Sequence, residues 1–262
     1  MKVGFIGGGN MGGALIGGLT QKCCAPSDIA LYEKDAQKAA AFKEMGVNTV
    51  ESASAAEAAS EIIVFSVKPN IIDSVLSEMS GDKNKIYLSI AAGVTVAHLE
   101  GMLGADKKIV RAMPNTPAQV GCGMTVISPN KNVDDEDIKK VKMLLSAVGM
   151  VQQMDEKFMS VATALHGSSP AYVYMFIDAM ADAGVKYGLT KQQALTLAAQ
   201  AVAGSAEMVL SCGEHPEKLK DNVCSPGGTT IAAVCDLEKN GFRGIVQSAV
   251  CACVAKADEM SK

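Results

Sequence analysis

The chain has 262 residues, 48% of them hydrophobic and 20% charged, and its 24 Lys plus Arg against 28 Asp plus Glu leave a formal charge of −4. That length can bury a core without disulfide staples, and the mixed composition excludes fibrous and disordered classes. The slight acidity, with no basic block, argues against a nucleic-acid partner. Apolar runs such as residues 62–67 fall far short of the roughly 20 residues that span a bilayer, so no membrane partner is expected.

In chain order, residues 3–7 read as a short apolar strand, 11–20 as a helix and 29–32 again as a strand. Asp35 is placed to cap a helix reaching about residue 45. Residues 61–67 read as a buried strand, 71–79 as a helix, 86–90 as a strand and 95–103 as a helix, with further strands near Ile109 and at 124–127. This alternation predicts an α/β fold with a mostly parallel sheet and helices on both faces.

Beyond Met154 no strand is evident, and the chain is divided into residues 1–155 and an all-helical part, 156–262. One helix is expected over 170–186, with Pro170 in its first turn and Gly188 just past its end. Another opens at Thr190, where Thr190-Lys-Gln-Gln193 forms a capping box, and runs to about residue 210. Both are apolar or small on nearly every face, so they should be buried in a bundle or against another subunit. The eight cysteines contain no Cys-x-x-Cys pair and are expected to be buried free thiols, as suits a cytoplasmic chain. The three histidines have no metal-ligand spacing, so no metal is expected.

The sharpest local pattern is Gly7-x-Gly9-x-x-Gly12, directly after a strand and opening a helix. Gly7 allows the tight turn, Gly9 a close approach of backbone to pyrophosphate, and Gly12 close contact of helix and strand, with Ile6, Asn10 and Met11 completing the loop. This is the fingerprint of a Rossmann-type dinucleotide-binding domain, the alternative being a plain glycine-rich turn. Glu33, about 20 residues on, is the candidate ribose ligand, with Lys34 beside it. As a ribose acceptor Glu33 favours use of NADH at least as well as NADPH; as a bland feature it is a solvated strand-end carboxylate.

The segments Ser66-Val67-Lys68-Pro69-Asn70 and Ala91-Ala92-Gly93-Val94-Thr95 leave strands at the carboxyl edge, where open α/β sheets bind ligands. The proline-flanked Asn115 sits in a rigid turn, either structural or presenting backbone to a nicotinamide. Late in the chain, Ser225-Pro-Gly227-Gly228-Thr229-Thr230 opens a helix whose free N–H groups suit a carboxylate; the alternative is a capped helix start.

The chain resembles the pyrroline-5-carboxylate reductases over essentially its whole length. The resemblance rests on Gly4-Phe-Ile-Gly-Gly-Gly-Asn-Met11, Val67-Lys-Pro69, Ala91-Ala-Gly-Val-Thr95, Pro114-Asn-Thr-Pro117, Gly167-Ser-Ser-Pro-Ala-Tyr172 and Asp221-Asn-Val-Cys-Ser-Pro-Gly-Gly-Thr-Thr230. It implies an N-terminal Rossmann domain, a helical dimerisation domain, and NAD(P)H-dependent reduction of a cyclic imine, 1-pyrroline-5-carboxylate, to L-proline by a homodimer or larger homo-oligomer. Carried over by position, Thr230 contacts the substrate ring nitrogen, while Ser225, Gly227, Gly228 and Thr229 cradle its carboxylate. Lys68 and Pro69 take the cofactor-side turn.

Departures from the family pattern are His166, where Ser or Thr is common, Ser169, where Gly is common, and Ala53, where an asparagine often meets the adenosine. Glu33-Lys34 replaces the Ser and Arg residues that often meet a 2′-phosphate. His166 is read as structural. Two rivals are a hydroxyacid dehydrogenase of the 3-hydroxyisobutyrate type, which needs a lysine that residues 158–185 lack, and a non-catalytic dinucleotide-binding regulator, which leaves the Gly-Gly-Thr-Thr loop unexplained.

Overall fold

The computed structural model describes residues 1–260. Eight strands, β1 (Val3–Ile6), β2 (Ile29–Tyr32), β3 (Asn48–Thr49), β4 (Ile62–Phe65), β5 (Ile86–Ser89), β6 (Lys108–Met113), β7 (Gly123–Pro129) and β8 (Gly149–Gln153), form one sheet in the order β3-β2-β1-β4-β5-β6-β7-β8. Neighbours run parallel except β6 and β7, so the mostly parallel sheet read from the alternating pattern is present. The helices between strands are α1 (Asn10–Lys22), α2 (Ala36–Glu44), α3 (Ala53–Ala58), α4 (Pro69–Leu76), α5 (Val96–Leu103) and α6 (Asp135–Leu145).

Period-two alternation sends strand side chains into two separate cores. Val3, Phe5, Ile62, Val64, Ile86, Leu88 and Val110 meet Leu15, Ile16 and Leu19 of α1 and Val141, Leu144 and Leu145 of α6 on one face. Ile6, Ile63, Phe65, Tyr87 and Ile109 meet Ile72, Val75 and Leu76 of α4 and Leu99 and Leu103 of α5 on the other. Burial on both faces is why the strands read as unbroken apolar runs. Asp35 caps α2 as expected, accepting from the amides of Gln37 and Lys38.

Within the sheet and the helices between its strands, four elements were not anticipated. β3 is two residues long, α3 is an Ala-Ser segment without apolar period, α6 is dominated by Asp and Lys, and β8 is largely exposed. α6 is nonetheless well specified at its start, since Asp134 and Asp137 form a reciprocal capping box.

After the sheet come α7 (Met159–Ala162), a π-helical turn (Thr163–Gly167), α8 (Ser169–Lys186), α9 (Lys191–Cys212), α10 (Pro216–Val223), α11 (Thr229–Lys239) and α12 (Phe242–Met260). Contacts divide the chain into two units, Met1–Ser168 with the chain from Val254, and Ser169–Cys253. In the second unit the Thr190–Gln193 capping box opens α9, and Gly188, with φ +97°, lies just beyond α8. The Lys191 ammonium contacts both Asp178 and Asp182 of α8 at 2.6 Å.

The single chain leaves much of this unit's apolar surface uncovered. α8 buries Ala181 and α9 buries Ala194 and Ala198, while Tyr174, Met175, Leu197, Met208 and Leu210 are exposed. By length and composition α9 could cross a membrane, a property the strand-length runs did not suggest. The cysteines are free, but the expectation that they are buried is corrected. Cys24 is buried, whereas Cys23, Cys122, Cys212, Cys235 and Cys251 are exposed, because the helices that carry the later ones have no cover within the chain.

A buried carboxylate holds the sheet's lower loops. Glu57 of α3, 2% exposed, accepts from Tyr87 Oη at 2.6 Å and from the amides of Ser80 at 2.8 Å and Gly81 at 3.1 Å. Burial alone would push this carboxyl up, and the hydrogen bonds from Tyr87, Ser80 and Gly81 outweigh it, holding the group below its usual range. Glu57→Gln should therefore lower stability by about 1–3 kcal/mol, read from a urea midpoint. The pH dependence has a defined sign: Glu57 contributes fully above about pH 5, and the contribution is lost as pH falls through the folded value, so the Gln variant should show a shallower acid loss.

Candidate active site

The register of the first three central strands brings their carboxyl ends level. Ile6 pairs with Tyr32 on one side and Phe65 on the other. The chain then turns at Gly7, whose φ of +99° lies in the region open to glycine and whose amide donates to Tyr32 O at 2.8 Å. Ser66, one residue past β4, braces the turn by donating its hydroxyl to Gly7 O at 2.6 Å.

The other two loop glycines have different physical reasons. A Cβ on Gly12 would stand 2.5 Å from Gly7 O and 2.8 Å from Ser66 Oγ, so only glycine lets α1 lie this close to the strand ends. A Cβ on Gly9 would meet nothing within 4 Å. Gly9 is the N-cap of α1 and no side chain caps the turn, so the amides of Asn10, Met11 and Gly12 face an open cradle with the positive end of the helix behind it. That cradle fits a pyrophosphate.

Beside it lies a cavity of about 290 Å³, bordered by Ile6, Gly7, Gly9, Glu33, Lys34, Val67 and Lys68, seven residues singled out from the sequence. Tyr32, Lys38, Ser66 and Ile71 also border it and were not singled out individually. Lys38 lies in the first turn of α2, where its amide donates to the Asp35 cap. Glu33 has a second task that the pattern did not suggest: its Oε2 accepts from Gly8 N at 2.6 Å and its Oε1 from Asp35 N at 2.9 Å. The carboxylate thus ties the glycine loop to the start of α2. Ala53 is fully buried against the sheet and offers no adenosine contact.

Pro69, Ala92 and Gly93 border a second cavity of about 270 Å³, together with Asp73 and His98, whose side chains meet at 2.6 Å. Thr95 caps α5 through the His98 amide, and Glu156 Oε1 accepts both from Val96 N at 2.8 Å and from the buried Arg111 Nη1 at 2.9 Å. Asn115, at the carboxyl end of β6, is buried. Its Oδ1 accepts from Met124 N at 2.8 Å and its Nδ2 donates to His166 O at 3.0 Å, so its side chain serves the protein's own backbone.

In the helical unit, Gly227 has φ +66° and Gly228 is the N-cap of α11, without a side-chain cap bond. Gly228 N donates to Ser225 O at 3.0 Å, and a Cβ on Gly228 would collide with Ser225 Oγ. Thr229 and Thr230 are the first two helical residues. Thr230 is therefore not the capping residue, and no side chain caps the opening turn of α11.

A parallel sheet with this glycine loop at its carboxyl edge, joined to a helical unit, defines a nicotinamide-dinucleotide-dependent oxidoreductase. Residues 2–93 match the family model described as NADP oxidoreductase, coenzyme F420-dependent, and residues 156–260 match that for pyrroline-5-carboxylate reductase dimerisation. The pyrroline-5-carboxylate reductase of Escherichia coli (strain K12) is 48% identical across 100% of this chain and 98% of its own length. Among solved structures, a pyrroline-5-carboxylate reductase from Coxiella burnetii superposes with a TM-score of 0.95 at 36% identity, covering 100% of this chain and 98% of that one. The Plasmodium falciparum pyrroline carboxylate reductase with NADP bound gives 0.89 at 38% identity, with the same coverage. The chain belongs to the pyrroline-5-carboxylate reductase family.

The contrast between the loop glycines generates a prediction. Gly9→Ala should cost only about 1 kcal/mol of thermal stability, the loss of a glycine N-cap, since its Cβ enters open space. It should nevertheless weaken NADPH binding by about tenfold or more in a fluorescence titration, because dinucleotide loops of this pattern seat the pyrophosphate against the second glycine.

Proposed function

We propose that this protein reduces 1-pyrroline-5-carboxylate to L-proline with NAD(P)H, completing proline synthesis. The observation that carries the reading is the uncapped Gly227-Gly228-Thr229-Thr230 turn at the start of α11, in a chain that also holds the dinucleotide loop. Residues 1–155 serve the cofactor and 156–262 the substrate and dimerisation. Ile6, Gly7, Gly9, Asn10, Met11 and Gly12 receive the pyrophosphate side, Glu33 and Lys34 the ribose, Val67, Lys68 and Pro69 the adjoining turn, and Ala92, Gly93 and Asn115 the nicotinamide end. The protein works as a homodimer or larger homo-oligomer, in keeping with the uncovered apolar faces of α8 and α9. Its eight free cysteines suit the reducing cytoplasm.

NAD(P)H, when bound, supplies the hydride that adds to C5 of the imine. The chain's own task is to hold the acceptor. The opening amides of α11, shaped by Ser225, Gly227, Gly228 and Thr229, fix the substrate carboxylate, and the Thr230 hydroxyl orients the ring nitrogen as its charge changes. A protonated imine accepts hydride more readily than a neutral one, so the site needs a fixed carboxylate and an orienting hydroxyl more than a strong base.

Thr230→Val, which keeps the branched shape and deletes the hydroxyl, should lose about 2–4 kcal/mol of transition-state stabilisation in kcat/KM, with melting temperature and NADPH affinity little changed. Near-normal turnover would refute the assignment. Assays of imine reduction with each dinucleotide test the whole reading. NADH should serve at least as well as NADPH, because Glu33 accepts from an unmodified ribose, while Lys34 and Lys38 on the same cavity temper its repulsion of a 2′-phosphate. A preference of about a hundredfold for NADPH would overturn this cofactor assignment.

A further inference from the structure

His166 stands in the π-helical turn Thr163–Gly167, a distortion often found at functional positions. Its Nδ1 lies 2.5 Å from the carbonyl oxygen of Ala162 and its Nε2 2.7 Å from that of Met113. Both partners are acceptors, so the two bonds coexist only in a ring with hydrogen on each nitrogen; a ring with one N–H makes one of them. The contact is reciprocated, since Asn115 Nδ2 donates to His166 O at 3.0 Å. The neighbouring Gly167 packs close to this strand end: a Cβ there would stand 3.3 Å from the terminal methyl of Met113.

These bonds converge on the turn at residues 113–115, which is also held by the pairing of Met113 with Val126 and by the bonds from Met124 N to Asn115 Oδ1 and from Ala118 N to Asn115 O. Pro114 has no N–H to contribute. β5 and β6 run parallel with Ser89 opposite Arg111, so this turn leaves the sheet on the same edge as Ala91-Ala92-Gly93.

We infer that His166 is a positioning residue for the reduction: its bridge between two carbonyls fixes the 113–115 turn at the nicotinamide end of the site. The inference rests on the reading given under Proposed function. His166 acts through the turn, whose Met113 carbonyl its Nε2 reaches, rather than by touching the reacting atoms.

The test compares the full-length protein with His166→Ala and His166→Gln. In His166→Ala, amide exchange across residues 111–116 should quicken by about fivefold or more. Its kcat for pyrroline-5-carboxylate should fall by about tenfold or more, while the NADPH Kd and the imine KM stay within about threefold. His166→Gln, whose amide nitrogen carries two N–H groups, should recover about a third or more of the parent kcat. A normal kcat in His166→Ala overturns the inference, as does a fall in kcat matched by an equal loss of NADPH affinity, the mark of a general defect. If His166→Ala does not fold, His166→Asn, too short to reach both carbonyls, takes its place, with the same losses expected and the same results overturning the inference. A parent protein that binds NADPH but leaves the imine unreduced defeats the proposed function; amide exchange then decides the bridge, faster exchange in the variant supporting it and unchanged exchange overturning it.

Discussion

The parallel register of β1 between β2 and β4 is the constraint from which the dinucleotide site follows. With Ile6 level with Tyr32 and Phe65, three turns leave the sheet together, carrying Gly7, Glu33 and Ser66. Backbone bonds carry the alignment past the last strand residues, from Gly7 N to Tyr32 O and from Ser66 N to Ile6 O. A one-residue slip of any of these strands would exchange its two buried faces, which the separate cores on either side forbid. The site is thus set by the same side chains that make the sheet stable, and the glycines and Glu33 act within a frame already fixed.

The part of the same edge that carries residues 91–93 and 113–115 is secured differently, by a segment remote in sequence. Glu156 joins the start of α5 to Arg111, and His166 joins the π-helical turn to the end of β6. The dimerisation family model begins at residue 156, whereas contacts keep the chain through Ser168 with the sheet. Residues 156–168 therefore fall in the dimerisation family model by sequence and with the sheet by packing.

What was legible in the sequence follows from how local each cause is. Gly7, Gly9 and Gly12 announce themselves because their demands, a positive φ, an open approach and a close contact, are met within a few residues of chain. The Asp35 and Thr190 caps are local for the same reason. The two bonds of Glu33 to Gly8 and Asp35, the buried Glu57 network and the clamp on Asn115 join residues distant in sequence or turn side chains away from the ligands their types suggest, so spacing alone could not reveal them. Exposure of the cysteines was misread because an apolar helix does not say whether its cover lies in the same chain.

The uncovered faces of α8 and α9 tie folding to mass action. If a second copy closes it, as proposed, that surface makes the helical unit's free energy a property of the assembly, so dilution would act on it as a denaturant does and the melting midpoint would climb with protein concentration. A substitution on those faces is then felt first in the equilibrium between protomers, even where it touches no group that meets imine or dinucleotide.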